Sequence, residues 1–228
     1  MLLFNALTGM SENSDGAAET VKKFLSAKYG QPFRVTHIGD RFNTGTATLF
    51  CQTLDGTGLS FTVVYKPLEN VITDDYPVRR AAFAFDRKLS VSLSEKGITA
   101  ASITLLGEAD ITPDDKWSEP SDIIRSSGTK YLFSRVAVKG TSLTHQQLDD
   151  LLGIMAETDA ECGGLSFVAS IFLLPEERFI SCSNKLSDVP RISDDEMAEF
   201  SPAAVFGATA VNGSAKITAG NVSAALKG

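Results

Sequence analysis

The segment 46–66 constrains this chain most: TATLFCQTL and LSFTVVYK, two runs dense in β-branched and aromatic residues, flank the tetrapeptide DGTG. Glycine tolerates positive φ, so a DG-containing turn between two such runs predicts a β-hairpin. A further extended run at 33–39, FRVTHIG, predicts a three-stranded antiparallel meander.

The stretch before it, AKYGQPFRV, shows how that first strand starts. Ala17, Val21, Phe24 and Leu25 recur at helical spacing, which predicts a short amphipathic helix over 17–29 with Asp15 able to cap its first turn. Gly30 stands where a helix exit needs positive φ, and Pro32 forbids continuation, because a residue before proline avoids the α region. Gly30 and Pro32 are therefore expected to stop a helix and launch a strand, not to shape a ligand loop.

Beyond the hairpin, Val78, Ala81, Ala82, Phe85 and Leu89 mark a helix over about 76–96, with Asp75 as N-cap and Pro77 in its first turn. ITAASITLL at 98–106 reads as a fourth strand. YLFSRVAVK at 131–139 reads as another, and Thr144 with Gln147 forms a capping box ahead of a helix that ends near Gly163 and Gly164. LSFVASIFLL and RFISCSN, separated by PEE, read as a hairpin, and Ser193 with Glu196 offers a second capping box. The fold class expected is α+β: an antiparallel or mixed sheet with amphipathic helices packed on one face, divisible into two similar-sized subdomains. The boundaries are an N-terminal α+β subdomain over 1–110, a connection over 111–128 rich in Asp, Glu and Ser, a C-terminal α+β subdomain over 129–200, and a tail of small residues over 201–228.

Composition narrows function more than fold. The 228 residues carry 28 acidic against 21 basic side chains, a net charge of −7 that disfavours a broad nucleic-acid footprint. Three cysteines without a CxxC spacing do not make a disulfide scaffold. LSFVASIFLL is half the length a bilayer span needs, so no transmembrane segment is expected. MLLFNALTGM has neither the basic start nor the cleavage region of a secretory leader, which leaves two locations open: cytoplasmic, or extracellular surface if a signal segment was removed. Asn212-Gly213-Ser214 and Asn221-Val222-Ser223 match glycosylation sequons, a pattern short enough to arise by chance.

No local motif for catalysis emerges. His37, His145 and the cysteines include no close pair, so neither a metal site nor a cofactor is expected. A hydrolase or other enzyme would have to assemble a site from His37 or His145 with Cys162 or nearby acids, with no G-x-S-x-G elbow to help. Ligand-binding candidates are Tyr29 and the sole tryptophan, Trp117, as aromatic platforms, and Arg79, Arg80 and Arg87 as a basic helix face. The reading favoured is a non-enzymatic binding or protein-interaction module with a protein partner or self-association.

The order AETVKKFLSAKYGQPFRV, GTATLFCQTLDGTGLSFTVVY and DDYPVRRAAFAFDRKL resembles small uncharacterised domains of Gram-positive bacterial surface or lipoprotein-like proteins. The resemblance rests on Lys28, Tyr29, Gly30, Asp75 and Tyr76 within residues 18–106, and implies a helix, a three-stranded meander and a second helix. It carries no catalytic residues, and the chain lacks a lipoprotein cysteine near its start.

Overall fold

The computed structural model describes residues 4–39, 45–107, 120–161, 165–220 and 222–227. The chain divides into two compact units, Met1–Tyr76 and Pro77–Gly228.

The first unit is one helix, α1 (Phe4–Tyr29), and a four-stranded antiparallel sheet in the order β1 (Phe33–Ile38), β2 (Ala47–Thr53), β3 (Ser60–Lys66), β4 (Val71–Asp74). The expected meander is present, with Cys51 opposite Phe61 and Leu49 opposite Val63. β4 was not foreseen: NVITD is too short and too polar to announce a strand by alternation. α1 also begins well before 17, at Phe4, so SENSDG lies within the helix and Asp15 is not its cap. Val21, Leu25 and Tyr29, one turn apart, are buried together with Phe33, Leu49, Cys51, Phe61, Val63 and Tyr76. The rings of Tyr29, Phe33, Phe61 and Tyr76 meet mostly edge to face, at centroid separations of 4.6 to 6.0 Å.

Gly30 ends α1 as its position requires: its φ is 70° and its N–H donates to Ser26 O at 2.9 Å. Gly30→Ala forces a Cβ into the left-handed region, and its expected cost is about 1–2 kcal/mol. Urea unfolding of the variant checks this; an unchanged midpoint would contradict the assigned role.

The second unit is built on a five-stranded sheet in the order β5 (Ala100–Gly107), β6 (Tyr131–Lys139), β7 (Ser166–Leu174), β8 (Ala204–Val211), β9 (Ser214–Gly220). β6 and β7 are parallel, joined by a crossover through α4 (His145–Glu161), and the remaining pairs are antiparallel. The capping box expected at α4 is formed, with Gln147 N–H donating to Thr144 Oγ1 at 3.1 Å and Thr144 N–H to Gln147 Oε1 at 3.0 Å. One face of the sheet carries the main core: Leu132, Val136, Phe167, Ile171 and Phe206 pack with Phe85 and Leu89 of α2 (Tyr76–Glu95), Ile123 of α3 (Pro120–Ser126), Met155 of α4 and Ala225 of α7 (Val222–Ala225). The opposite face holds a smaller core, in which Ile103, Ala137, Phe172 and Leu174 pack with α5 (Glu176–Asp188) and α6 (Asp194–Ala198).

Two further segments differ from the sequence reading. RFISCSN is not the second arm of a hairpin but the middle of α5, whose Phe179, Cys182 and Leu186 are buried at helical spacing and whose Glu176 and Glu177 occupy the first turn, where the helix dipole favours acids. ITAASITLL forms a strand as expected, β5, and pairs with β6. Within 201–228 lie β8 and β9, hydrogen-bonded in turn to β7; their alanines and glycines offer little apolar surface alone, and the burial comes from β7 and α4. The compact units meet at Tyr76 and Pro77, whereas composition suggested a division at 111–128, a span that β5 and β6 bridge by pairing.

Candidate functional site

Two helix-borne carboxylates of the second unit, Asp86 and Asp159, are buried, in settings different from any expected site. Asp86 lies on α2 between the apolar positions Phe85 and Leu89, and is buried. Its Oδ1 accepts from Ser102 Oγ at 2.7 Å and Thr104 Oγ1 at 2.6 Å, its Oδ2 from Thr104 N–H at 3.0 Å, and Thr104 Oγ1 in turn pairs with Ser134 Oγ. Burial lifts its pKa above the usual carboxylate range, and the donors from Thr104 and Ser102 together with the nearby Arg79 charge pull it back in part.

This cluster finishes an edge. Among the described residues β5 has no neighbouring strand on its far side, and α2 runs along it with Arg79, Asp86 and Ser90 on one stripe. Arg79 Nη1 donates to Thr104 O at 2.7 Å, Asp86 accepts from Thr104 N–H, and Ser90 Oγ donates to Ala100 O at 2.8 Å. Three backbone groups that would otherwise invite another strand, the N–H and O of Thr104 and the O of Ala100, are thereby satisfied by a helix. Arg79, a ligand-binding candidate from sequence, is thus buried and engaged in the fold. Asp159, on α4, is also buried; its Oδ2 accepts from Gly213 N–H at 3.2 Å, and its Oδ1 has no hydrogen-bond partner.

The other candidates are dispersed. Tyr29 is buried in the first unit, where its hydroxyl donates to Asp74 Oδ1 at 2.6 Å while Lys28 Nζ donates to Asp74 Oδ2 at 2.8 Å. His37 is exposed on β1 and stacks on Phe50 at a centroid separation of 5.7 Å. His145 is exposed in the first turn of α4, in the other unit. Arg87 is exposed on α2, and Arg80 beside it is half-buried. Cys162 and Trp117 lie outside the described residues. Cys51 and Cys182 are buried thiols with pKa values pushed up to about 12 and about 11, burial being the main cause at Cys51 and the cause at Cys182, so neither offers a ready thiolate. Among the described residues no group of three His, Cys, Asp or Glu could hold a metal ion. In the first unit a depression of ≈ 250 Å³ is lined by Thr62, Val64, Thr73, Asp74 and Asp75, but Asp75 Oδ1 is held by Thr62 N–H at 2.6 Å, and no imidazole or thiol lines it.

What remains is a surface that sequence reading passed over. α5 and α6 cover only one end of the second face of the five-stranded sheet. At the other end two cross-strand rows hold Leu105, Phe133 and Val168 in register, with Tyr131 and Val211 in the next row. Tyr131 and Val211 are exposed, at 37% and 43% of their surface, and Leu105, Phe133 and Val168 are half-buried. The Tyr131 ring lies across Gly107, where any Cβ would collide with it. At the border with α6, Arg135 lies over the Phe133 ring at 4.1 Å and donates to Asp194 Oδ1 at 2.8 Å, while Ser170 Oγ donates to Asp194 Oδ2 at 3.0 Å. Alternation in YLFSRVAVK contains the signal for Tyr131, Phe133 and Arg135 sharing a face, but only the position of α5 decides that the face is open.

No family model matches the sequence, and no curated protein does. Among solved structures, the chain is similar to the crystal structure of a DUF5037 family protein from Ruminococcus gnavus ATCC 29149, with a TM-score of 0.63 over 91% of this chain and 96% of that one. At 14% identity the likeness is one of fold. Among the described residues no helix is long and apolar enough to cross a membrane.

Proposed function

We propose that this chain is a non-enzymatic binding module that takes a protein partner on the open end of the five-stranded sheet. The observation that carries this reading is the row of apolar side chains, Leu105, Phe133 and Val168 with Tyr131 and Val211, left clear of α5 and α6 on a sheet whose other face carries the main core. A contiguous apolar patch edged by polar groups is the ordinary mark of a macromolecular contact. Arg135 is prearranged there by its ring contact and by Asp194, which lowers the ordering cost of an anchoring arginine. An enzymatic role drawn on His37 or His145 needs an imidazole beside a nucleophile. Cys51 and Cys182 are buried thiols, and Cys162, the thiol that such a role draws on, lies outside the described residues. The resemblance to bacterial surface domains is consistent with a module displayed to partners, and this placement stands as part of the proposal.

The test is photo-crosslinking from a benzophenone side chain placed at Phe133 or Val168, in cells that produce the protein, against the same probe at exposed Glu177 on α5. Defined polypeptide adducts at the first two positions, lost when Leu105→Asp is added, are expected. Adducts equal at all three positions, or none at Phe133 and Val168, would remove the binding face from consideration.

A further inference from the structure

The hairpin between β8 and β9 turns on Asn212 and Gly213, both left-handed with φ of 52° and 73°. That backbone is the two-residue turn for which Asn-Gly is the favoured pair. Both residues are exposed, and a Cβ built on Gly213 would find nothing nearer than Ala160 Cβ at 3.9 Å, so the space around this peptide is open. An asparagine followed by glycine is also the dipeptide in which the next backbone nitrogen meets least hindrance in reaching the side-chain carbonyl carbon.

What distinguishes this turn is the group that holds it. The Gly213 N–H donates to Asp159 Oδ2 at 3.2 Å, within the distance at which a side chain can act as a general base. Asp159 is fully buried and its other oxygen is unpartnered. An orphaned buried carboxylate oxygen is a cost that hydrogen-bonded cores avoid, and its retention calls for an explanation. Burial raises the pKa of this carboxyl, the N–H groups of Gly213 and Asn212 opposing the rise in part, which makes its carboxylate a stronger base than an exposed aspartate.

We infer that Asn212 and Gly213 form a self-modifying site in which Asp159 accepts the Gly213 amide proton. The Gly213 nitrogen bonds to Asn212 Cγ, the Cγ–Nδ2 bond breaks, and ammonia leaves with the proton that Asp159 has taken. The product is a five-membered succinimide. Water then opens either of its carbonyls, adding hydroxyl to carbon and hydrogen to nitrogen, and leaves aspartate or isoaspartate at 212. No oxidant or cofactor enters. The new carboxylate adds negative charge to the turn that Asp159 holds, and an isoaspartate adds a backbone methylene to a two-residue turn whose flanking pair is Val211 opposite Ser214. Modification therefore loosens the contact between the hairpin and α4, once and irreversibly.

The experiment is incubation of the purified, folded chain at neutral pH, followed by intact mass and isoaspartate-resolving peptide mapping. A gain of one mass unit should concentrate at Asn212 and spare Asn70, which is also exposed and left-handed but precedes Val71. Asp159→Asn should slow the reaction by about tenfold or more, given the contribution of a placed general base. An equal or faster rate in Asp159→Asn, or an Asn212 that stays intact in the wild-type chain, overturns the inference. Slowing cannot be put down to misfolding, because freeing the turn would speed cyclisation.

Discussion

Asp86→Ala is expected to destabilise the second unit by about 3–5 kcal/mol, the range for removing one partner from a buried charged cluster. The substitution strips the acceptor from Ser102 Oγ, Thr104 Oγ1 and Thr104 N–H, and takes one negative charge from the vicinity of buried Arg79. It also reopens part of the β5 edge. A loss of that size is a large share of the roughly 5–15 kcal/mol a domain has to spend, so urea unfolding followed by circular dichroism should show either a much lower midpoint or no cooperative transition. Asp86→Asn keeps the shape and one acceptor and should lose less. The pair also tests linkage. Burial raises the Asp86 pKa, so the folded chain holds this proton more tightly than the unfolded one, and the stability it contributes falls as pH rises from about 3.9 through the folded value. The wild type should therefore gain on Asp86→Asn as pH is lowered from about 7 to about 4; a gap that is flat or moves the other way would mean that Asp86 is charged at no cost.

The parts of this fold that sequence reading anticipated are those whose cause is local. Thr144 with Gln147 and Ser193 with Glu196 form the capping boxes their spacing suggests, because both partners lie within one turn. The meander and the stop at Gly30 follow in the same way from turn chemistry and alternation. RFISCSN, taken alone, alternates well enough for a strand; the helical stripe of α5 appears only when Leu186, beyond that window, is counted with Phe179 and Cys182. β8 and β9 carried no strong signal, since Ala204, Ala208 and Ala210 are buried by β7 and α4 and not by bulk of their own.

The candidate surface was less legible still, for a geometric reason. Tyr131, Phe133 and Arg135 alternate visibly, but whether their face is core or surface depends on α5 and α6 covering Ala137 and Phe172 and stopping short of Phe133 and Val168. Asp86 and Thr104 are 18 residues apart, so neither looks unusual until α2 is laid along β5. Arg79 illustrates the same point from the other side: a cation on a helix reads as solvated or ligand-facing, and here it caps a strand edge. Edge management and an open sheet face are both tertiary facts. One consumes charged residues that sequence reading offers as site candidates, and the other leaves at the surface residues that it assigns to a core.

The first unit should show its own large effect. Asp74 has a side chain with no exposed surface, and it receives Lys28 Nζ at 2.8 Å, Tyr29 Oη at 2.6 Å and Tyr76 N–H at 3.2 Å. These bonds tie the last turn of α1 to the end of β4 through one carboxylate. Lys28 retains 15% exposure and can turn toward water when its partner is removed, so Asp74→Ala is expected at about 3 kcal/mol, the lower end for a broken buried pair. Tyr29→Phe removes one hydrogen bond and leaves the carboxylate two donors, for an expected loss of about 1–1.5 kcal/mol. Because both substitutions remove the Tyr29–Asp74 bond, the double variant should cost less than the sum of the singles. Strict additivity in urea unfolding would show that the phenol and the carboxylate contribute independently, and the hydrogen bond would then not be what fastens α1 to the sheet.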